Sequence, residues 1–294
     1  MIDSPVQLSC SRRIGQELDQ DRLHGALRQI VIPPCPALLL RLQAAMATAE
    51  PDLQAVARIA GQDVAMAATL MRNANSPLHA VGPPVQTVGQ AMNRLGLDMT
   101  AAVMTGFLAC HAIPAHHPQM RGFWAESAQR VAALQFMARH LPGMAPELAH
   151  LYGLFCHVGV PVLLQSLRGY SGTLAEARAR IDRPFVATEN ANHRTDHAVA
   201  GALVARAWHL PTAVMAAIRL HHDLGSLGAQ DIEPDIHTLV AAGLLAEHLM
   251  RHRDGLEPDS DWLAHGSAAL AWLQLSLDDV ADWTGLLLAV IDAA

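Results

Sequence analysis

An adjacent cysteine and histidine, Cys156 and His157, follow an apolar run in the stretch GLFCHVGVPVLL. Gly159 breaks the run, and a second apolar run restarts at Pro161. Thiolate and imidazole groups act as nucleophiles and as metal ligands, so this is where a metal-dependent hydrolase could keep its ligands. Side chains of helical neighbours point about 100° apart, which disfavours a thiolate–imidazolium pair. Two interpretations stay open: ligands of an altered metal site, or packing residues at a helix end.

Two further motifs place histidine beside another polar residue. Asp196 and His197 begin an apolar stretch, which is typical of a helix N-terminus with an aspartate in its first turn, although the aspartate could also orient a ligand. His221 and His222 follow another apolar segment, as cations at a helix C-terminus do. The chain has 17 histidines. Their scatter along the sequence weakens the hypothesis of a single shared site.

The composition favours packed helices and excludes several kinds of chemistry. Of the 294 residues, 51% are hydrophobic and only 4% aromatic, which favours helices over a β-sandwich. The 20 basic residues are all arginine, so Schiff-base and P-loop lysine chemistry are excluded. The formal net charge is −7, and there is no basic run. We therefore expect no nucleic-acid partner.

Cysteine usage and the N-terminal sequence indicate a compartment. The four cysteines are far apart and form no CxxC motif, which predicts free thiols in a reducing environment. The first residues are polar and lack the apolar core of a signal peptide. No uninterrupted apolar stretch reaches the roughly 18 residues of a membrane span. We expect a cytoplasmic protein without membrane insertion.

Helix boundaries are marked by prolines and by capping residues. The predicted N-caps are Asp52, Asp63, Thr87 and Asp98. Helical spacing assigns one face of the segment after Asp63 to Val64, Ala67, Ala68 and Met71. It assigns one face of a longer helix to Phe123, Ser127, Val131, Leu134 and Met137. No alternating strand pattern is found, so the sequence predicts an all-α fold of about a dozen helices in two packed sub-bundles.

Composition shifts divide the chain into four predicted parts. Residues 1–22 are expected to be a loosely ordered lead-in, and residues 23–115 a first helical sub-bundle. The turn-rich, polar stretch HAIPAHHPQM marks the switch to a second sub-bundle over 116–223. Residues 224–294 are predicted to be a helical extension packed on that second part.

Several of these segments together resemble HDOD domains, the HD-related output domains of bacterial signalling proteins. The first matching group combines an acidic residue, an NANS corner and a helix ending in Leu-Gly, through Asp63, Asn73, Ala74, Asn75, Ser76, Ala91, Leu95 and Gly96. GLFCHVGVPVLL resembles the family's GLLHDIGK segment. A third group matches through Asp196, His197, Gly201, Leu203, Trp208, Leu210, Pro211, Ile218, His221 and His222. The resemblance covers about residues 23–223.

The resemblance implies a relation to HD-type metal-dependent phosphohydrolases, with an altered ligand set. Such enzymes use a histidine, an adjacent His-Asp pair and a distal aspartate to hold divalent metals that activate water. Here Glu126 stands at the first position, and Cys156 and His157 replace the pair. The degenerate site would comprise these three residues together with His197, His221 and His222. We expect no catalytic residues and no cofactor, although one zinc could still bind.

These observations predict a non-catalytic bacterial signal-transduction module of HDOD type that acts by binding a protein partner. The alternative is a metal-dependent HD-type phosphohydrolase acting on a nucleotide or cyclic dinucleotide. Residues 77–86 and 111–120 are candidate contact loops, because loops on a rigid scaffold often carry recognition. We further expect the Asn73–Ser76 corner to hold the 77–86 loop through its short polar side chains. The sequence leaves the oligomeric state open.

Overall fold

The computed structural model describes residues 9–24, 26–180 and 182–292. In these residues it contains helices and no β-strand, which confirms the all-α fold class. The α-helices are α1 (Cys10–His24), α2 (Ala37–Met46), α3 (Leu53–Gly61), α4 (Val64–Ala74), α5 (Val88–Leu95), α6 (Leu97–Ala112), α7 (Phe123–His140), α8 (Pro146–Phe155), α9 (Gly159–Ser166), α10 (Tyr170–Ala179), α11 (Phe185–His193), α12 (His197–Ala207), α13 (Thr212–Leu220), α14 (Pro234–Arg253), α15 (Ser260–Leu273) and α16 (Leu277–Asp292). Short 3-10 helices cover Ala26–Gln29, Pro118–Met120 and Leu224–Ser226. The described helices outnumber the predicted dozen.

The chain folds into two compact units. The first unit combines the N-terminal residues up to Ile32 with Phe155–Val280 and contains α1 and α9 to α15. The second combines Pro33–Leu154 with the residues from Ala281 onward and contains α2 to α7, most of α8 and most of α16. The four-part division predicted from the sequence, with boundaries after residues 22, 115 and 223, stays a prediction.

In the second unit, the face predicted from helical spacing is buried in α7 but not in α4. The five α7 residues predicted to share a face are all buried, which confirms that stripe. In α4 the buried residues are instead Met66, Leu70 and Ala74, and Val64 is 87% exposed. The predicted α4 face was wrong because that helix packs on α5 and α6 through an i, i+4, i+8 stripe, which leaves its first residue outside.

The predicted caps are confirmed for three helices and wrong for one. The side chains of Asp52, Asp63 and Thr87 accept hydrogen bonds from backbone N–H groups in the first turns of α3, α4 and α5. Asp98 lies inside the first turn of α6, and Gly96 is the N-cap. Gly96 has φ of +77°, a left-handed value that suits glycine and lets α6 begin directly after α5.

The N-terminal segment of the first unit is helical. Cys10, Ile14 and Leu18 form a buried stripe along α1, and the helix packs on α12 and α13. An ion pair of 2.7 Å between Arg206 and Asp19 reinforces the packing on α12. The expected loosely ordered lead-in is therefore wrong for residues 10–22, because apolar side chains spaced by four residues bury one helix face. Residues 1–8 of that prediction lie outside the described residues.

The Asn73–Ser76 corner holds its loop, as predicted. The Asn75 side-chain amide donates to the Val85 carbonyl at 3.0 Å and accepts from the Val85 N–H at 2.8 Å. Arg94 donates to Asn75 Oδ1 at 3.2 Å and to the Pro83 carbonyl at 2.6 Å. These bonds fix both the start and the end of the 77–86 loop against the helices of the second unit.

One described segment, residues 146–166, is long and apolar enough to cross a membrane by length and composition alone. Its most apolar window is 78% buried inside the protein, as the core helix of a folded domain is. The segment is also broken by a turn at residues 156–158, between α8 and α9. A second candidate, α5 with α6, qualifies only as a pair bent by 117°.

Candidate metal centre

Four histidines of the first unit converge on one point. His157, His197, His221 and His222 each offer one ring nitrogen, and these nitrogens all lie within 4.8 Å of one another. In the described part of the chain this is the one such group of three or more histidine, cysteine or acidic side chains. His157 lies in the turn between α8 and α9, His197 is the first residue of α12, and the other two follow α13.

A close glycine crossing brings the first two of these elements together. A Cβ atom at Gly159 would lie 2.0 Å from the carbonyl oxygen of His197 and 2.7 Å from the backbone nitrogen of Gly201. A Cβ atom at Gly201 would lie 3.0 Å from Cγ2 of Ile218 on α13. Because two helix backbones meet without side chains between them, the turn that carries His157 is held against the start of α12.

The start of α12 is capped by its preceding aspartate. Asp196 Oδ1 accepts from the Val199 N–H at 2.9 Å, and Oδ2 accepts from Asn190 Nδ2 at 2.7 Å. The prediction of a helix N-terminus at Asp196 is thereby confirmed. His197, next in the chain, directs its ring into the cluster. The N-cap residue Asp196 therefore directly precedes a residue of the cluster, His197.

The outer nitrogen of His197 is held by a fully buried carboxylate. Glu189 Oε2 lies 2.7 Å from His197 Nδ1 and 3.3 Å from the backbone nitrogen of His197. The hydroxyl of Tyr170 donates a short hydrogen bond to the other oxygen, Oε1. Burial alone would lower the pKa of His197, but the Glu189 charge and hydrogen bond outweigh burial and raise this pKa. The orientation of the ring is consequently fixed.

The other three histidines also have an oxygen behind their rings. His222 Nδ1 lies 2.6 Å from Asp261 Oδ2 on α15, and His221 Nδ1 lies 2.6 Å from the Ile218 carbonyl oxygen. His157 Nδ1 lies 4.0 Å from Glu247 Oε1 on α14, a charge contact rather than a hydrogen bond. Histidines that bind a metal usually donate their other ring N–H to an oxygen acceptor, which fixes the orientation of the ring.

The inner nitrogen of His197 contacts the inner nitrogens of two other rings. His197 Nε2 lies 3.1 Å from His221 Nε2 and 3.3 Å from His222 Nε2. The cluster is mostly enclosed: the His197 side chain is 3% exposed, His222 16% and His157 23%. Access from solvent is therefore greatest on the His157 side.

The structure unites four of the six residues of the expected degenerate site. Glu126 lies on α7, in the second unit, and is not among the four. Cys156 is 2% exposed, and its sulfur is likewise outside the group of converging donors. The expected scatter of the histidines does not hold for the four that converge. Whether an ion binds to them stays a prediction.

Sequence reasoning missed the supporting carboxylates Glu189, Asp261 and Glu247. Glu189 lies eight residues before its histidine, and Asp261 lies 39 residues after its own. Neither spacing belongs to a local motif. Capping patterns found Asp196, but no local pattern indicates which acidic residue lies behind which ring.

The donor set decides which metals would suit this centre. Imidazole nitrogen suits zinc and neighbouring transition metals, whereas Mg²⁺ and Mn²⁺ favour oxygen ligands. A dinuclear hydrolase centre uses carboxylates to bridge its metals and offset their charge. Here no carboxylate is among the converging donors of the described residues, because Glu189 and Asp261 bind the outer Nδ1 nitrogens of His197 and His222. The residues fit one borderline metal ion and do not fit a dinuclear hard-metal site.

A family model and a curated relative both match this chain. The family model described as HDOD domain matches residues 32–224, more than half of the chain. An uncharacterised protein of Treponema pallidum is 24% identical over 229 residues, which are 77% of this chain and 44% of that relative. The chain thus spans less than half of that relative's length.

Two solved structures share the helical fold over 96% of this chain at 20% identity. A candidate signal transduction protein from Marinobacter aquaeolei superposes with a TM-score of 0.70, and 66% of that protein is covered. A candidate metal-dependent phosphohydrolase from Shewanella amazonensis superposes with a TM-score of 0.67, and 98% of that protein is covered. At this identity the likeness shows the fold alone.

Proposed function

Because this chain belongs to the HDOD domain family, we propose that it is a non-catalytic bacterial signalling module that acts in the cytoplasm by binding a protein partner. The observation that carries the proposal is the all-imidazole character of the converging donors. A phosphoesterase of HD type needs an anionic ligand at the position of His157. The candidate signal transduction protein from Marinobacter aquaeolei has the same fold, which supports a signalling role.

The proposed partner surface lies on the second unit. The 77–86 loop is anchored by Asn75 and Arg94, yet its tip leaves the Val81 side chain 74% exposed. Val81, Pro83 and Pro84 line a surface groove that also includes the exposed Arg139. An apolar tip on a rigid loop is a typical recognition feature, because little conformational entropy is lost when it binds.

Absence of hydrolysis is tested first. The tag-free chain is assayed on nucleotides, cyclic dinucleotides and simple phosphodiesters with Mn²⁺, Mg²⁺, Fe²⁺ or Zn²⁺. We expect no turnover above the metal-only blank, and the same result for His157→Ala. Turnover that depends on metal and disappears in His157→Ala would refute the proposal and establish the enzyme.

Partner binding is tested with two valine variants. Proteins of the source organism that co-purify with the chain are identified by mass spectrometry, and the binding of each purified candidate is measured. Val81→Glu should weaken the specific complex by at least about tenfold, since a charge replaces a buried apolar contact. Val64→Glu is the matched control, because Val64 is 87% exposed on α4 and outside the groove. Equal binding by wild type and Val81→Glu would exclude the 77–86 loop as the contact.

The second candidate function is a metal-dependent phosphohydrolase acting on a nucleotide or cyclic dinucleotide. It is favoured by the convergence of four metal-capable side chains and by the likeness to the Shewanella amazonensis protein. The first proposal is preferred because the four converging imidazoles include no anion that could bridge two metals. The hydrolysis assay decides between the two functions.

A further inference from the structure

We propose that the four-histidine centre binds one divalent transition-metal ion of zinc type, with imidazole nitrogens as its protein ligands. The site consists of His157, His197, His221 and His222. This inference is independent of whether the module hydrolyses phosphoesters, and its readout is metal binding. The four side chains come from three separate segments of the chain, and their donor nitrogens converge in a largely buried position.

Hydrogen-bond chemistry indicates that the inner nitrogens present lone pairs. The Ile218 carbonyl can only accept, so His221 Nδ1 carries the hydrogen of that 2.6 Å contact. Asp261 likewise accepts from His222 Nδ1, and Glu189 from His197 Nδ1. A ring that binds a metal ion is neutral, so its lone pair is then on Nε2, and Nε2 of His197 lies beside Nε2 of both His221 and His222. Contacts of 3.1 and 3.3 Å between such nitrogens need either a shared proton or a cation, and a metal ion among them would accept their lone pairs.

The distances agree with a tetrahedral ion. Zinc–nitrogen bonds of about 2.05 Å place ligand nitrogens about 3.3 Å apart at the corners of a tetrahedron. The two contacts from His197 Nε2, at 3.1 and 3.3 Å, already have that length. All separations between the donor nitrogens of the group lie within 4.8 Å. His157 is the most exposed of the four and lies in a turn, so rotation of its ring is the simplest way to close the tetrahedron.

The charges around the centre suit a doubly positive ion. Four neutral imidazoles add no charge, while Glu189 and Asp261 place two carboxylates directly behind His197 and His222. Two negative charges one ring away offset a divalent cation and raise the basicity of the ligands. Glu247, near His157, adds a third carboxylate on the more open side. Burying such an ion is therefore compensated electrostatically.

Metal binding would join three elements that are far apart in the sequence. The ligands come from the turn before α9, the first residue of α12 and the end of α13, and the supporting acids extend the connection to α14 and α15. An ion bound only by the folded arrangement stabilises that arrangement by mass action. Occupancy of the centre should consequently raise the thermal midpoint of the full chain.

The test uses the full chain, purified without a histidine tag and stripped with a chelator, and titrated with Co²⁺ and Zn²⁺. We expect one equivalent to bind at micromolar or lower concentration, with the intense visible absorption of tetrahedral Co²⁺. Mg²⁺ at the same concentration should neither bind nor displace Co²⁺. His157→Ala should weaken binding by at least about tenfold. His252→Ala, at an exposed histidine of the same unit, should leave binding unchanged.

Several outcomes would overturn the inference. Folded wild-type chain that takes up neither ion, or binds Co²⁺ only as a weakly absorbing octahedral complex, contradicts it without the need for any variant. Binding that is equally strong in His157→Ala and in His222→Ala places the ion elsewhere. If His157→Ala fails to fold, the wild-type Co²⁺ spectrum and stoichiometry still decide. Turnover in the separate hydrolysis assay would refute the proposed function and leave the metal site standing.

Discussion

Replacing Gly159 by alanine tests the helix crossing that assembles the centre. The added Cβ would lie 2.0 Å from the His197 carbonyl oxygen, whereas ordinary contacts begin near 3.4 Å. The obstructing atoms are backbone, so no side-chain rotation relieves the overlap. The first turn of α9 must move away from α12 by roughly 1.4 Å, which is an overpacking change in a dense core.

The expected cost follows from two opposing contributions. Alanine in a helix is more favourable than glycine by about 0.5–1 kcal/mol. Forced backbone displacement in a packed core costs about 1–3 kcal/mol and occasionally more. The Cβ would overlap backbone atoms of both His197 and Gly201, so we expect a cost in the upper part of that range. We expect Gly159→Ala to lower the free energy of unfolding by about 2–3 kcal/mol. Co²⁺ affinity should fall as well, because His157 moves with the turn.

Gly172→Ala is the matched control. Gly172 lies in the first turn of α10, as Gly159 lies in that of α9, and its Cβ would meet nothing within 4 Å. This variant should be more stable than wild type by about 0.5–1 kcal/mol. Both are measured by urea unfolding followed by far-ultraviolet circular dichroism. If the two variants have the same urea midpoint, the argument from the glycine crossing is wrong.

Three other predictions concern the second unit. Asn75→Ala should lower the free energy of unfolding by about 1–3 kcal/mol, since the Val85 backbone loses both hydrogen-bond partners. Asn93→Ala, at an exposed position, is the control. An unchanged urea midpoint for Asn75→Ala would show that the corner is solvated. Asp63→Ala removes the α4 cap bonds to Ala65 and Met66 and should lower the free energy of unfolding by about 1 kcal/mol. Asp63→Asn should retain most of that stability, because asparagine also caps helices. An equal loss of stability in both variants would contradict the capping role. Burial, followed by the charge of His79, lowers the pKa of His150 from 6.5 to about 4. Between these values the unfolded chain binds a proton that the folded chain does not, so stability should be lost as the pH falls from about 6.5 to about 4, by about 3 kcal/mol in total. His150→Gln should make the stability curve shallower over that range, and an identical slope would contradict the assignment.

Local patterns were enough to predict the helical class and several element ends. Caps such as Asp52, Asp63 and Thr87 act within one helical turn, so a short window of sequence contains the whole interaction. The α7 stripe is equally local, because it follows from the helical period. The buried face of α4 and the ordering of α1 required knowledge of neighbouring elements. Periodicity identifies a helix, but the surface it packs against decides which face is buried.

The resemblance to HDOD domains drew attention to Cys156 and to all four histidines, without showing which of them meet. Sequence alone allowed His197 and His221 to be ordinary helix-end residues, and both do lie at helix ends, at the start of α12 and directly after α13. Only the crossing at Gly159 and Gly201 brings the segments carrying His157, His197 and His221 to one point. That crossing is a contact between backbones distant in the chain, and no local interaction encodes it. The same holds for Asp261, which reaches His222 because α15 packs on α14 and on the 3-10 helix Leu224–Ser226. The centre is therefore a property of the tertiary structure.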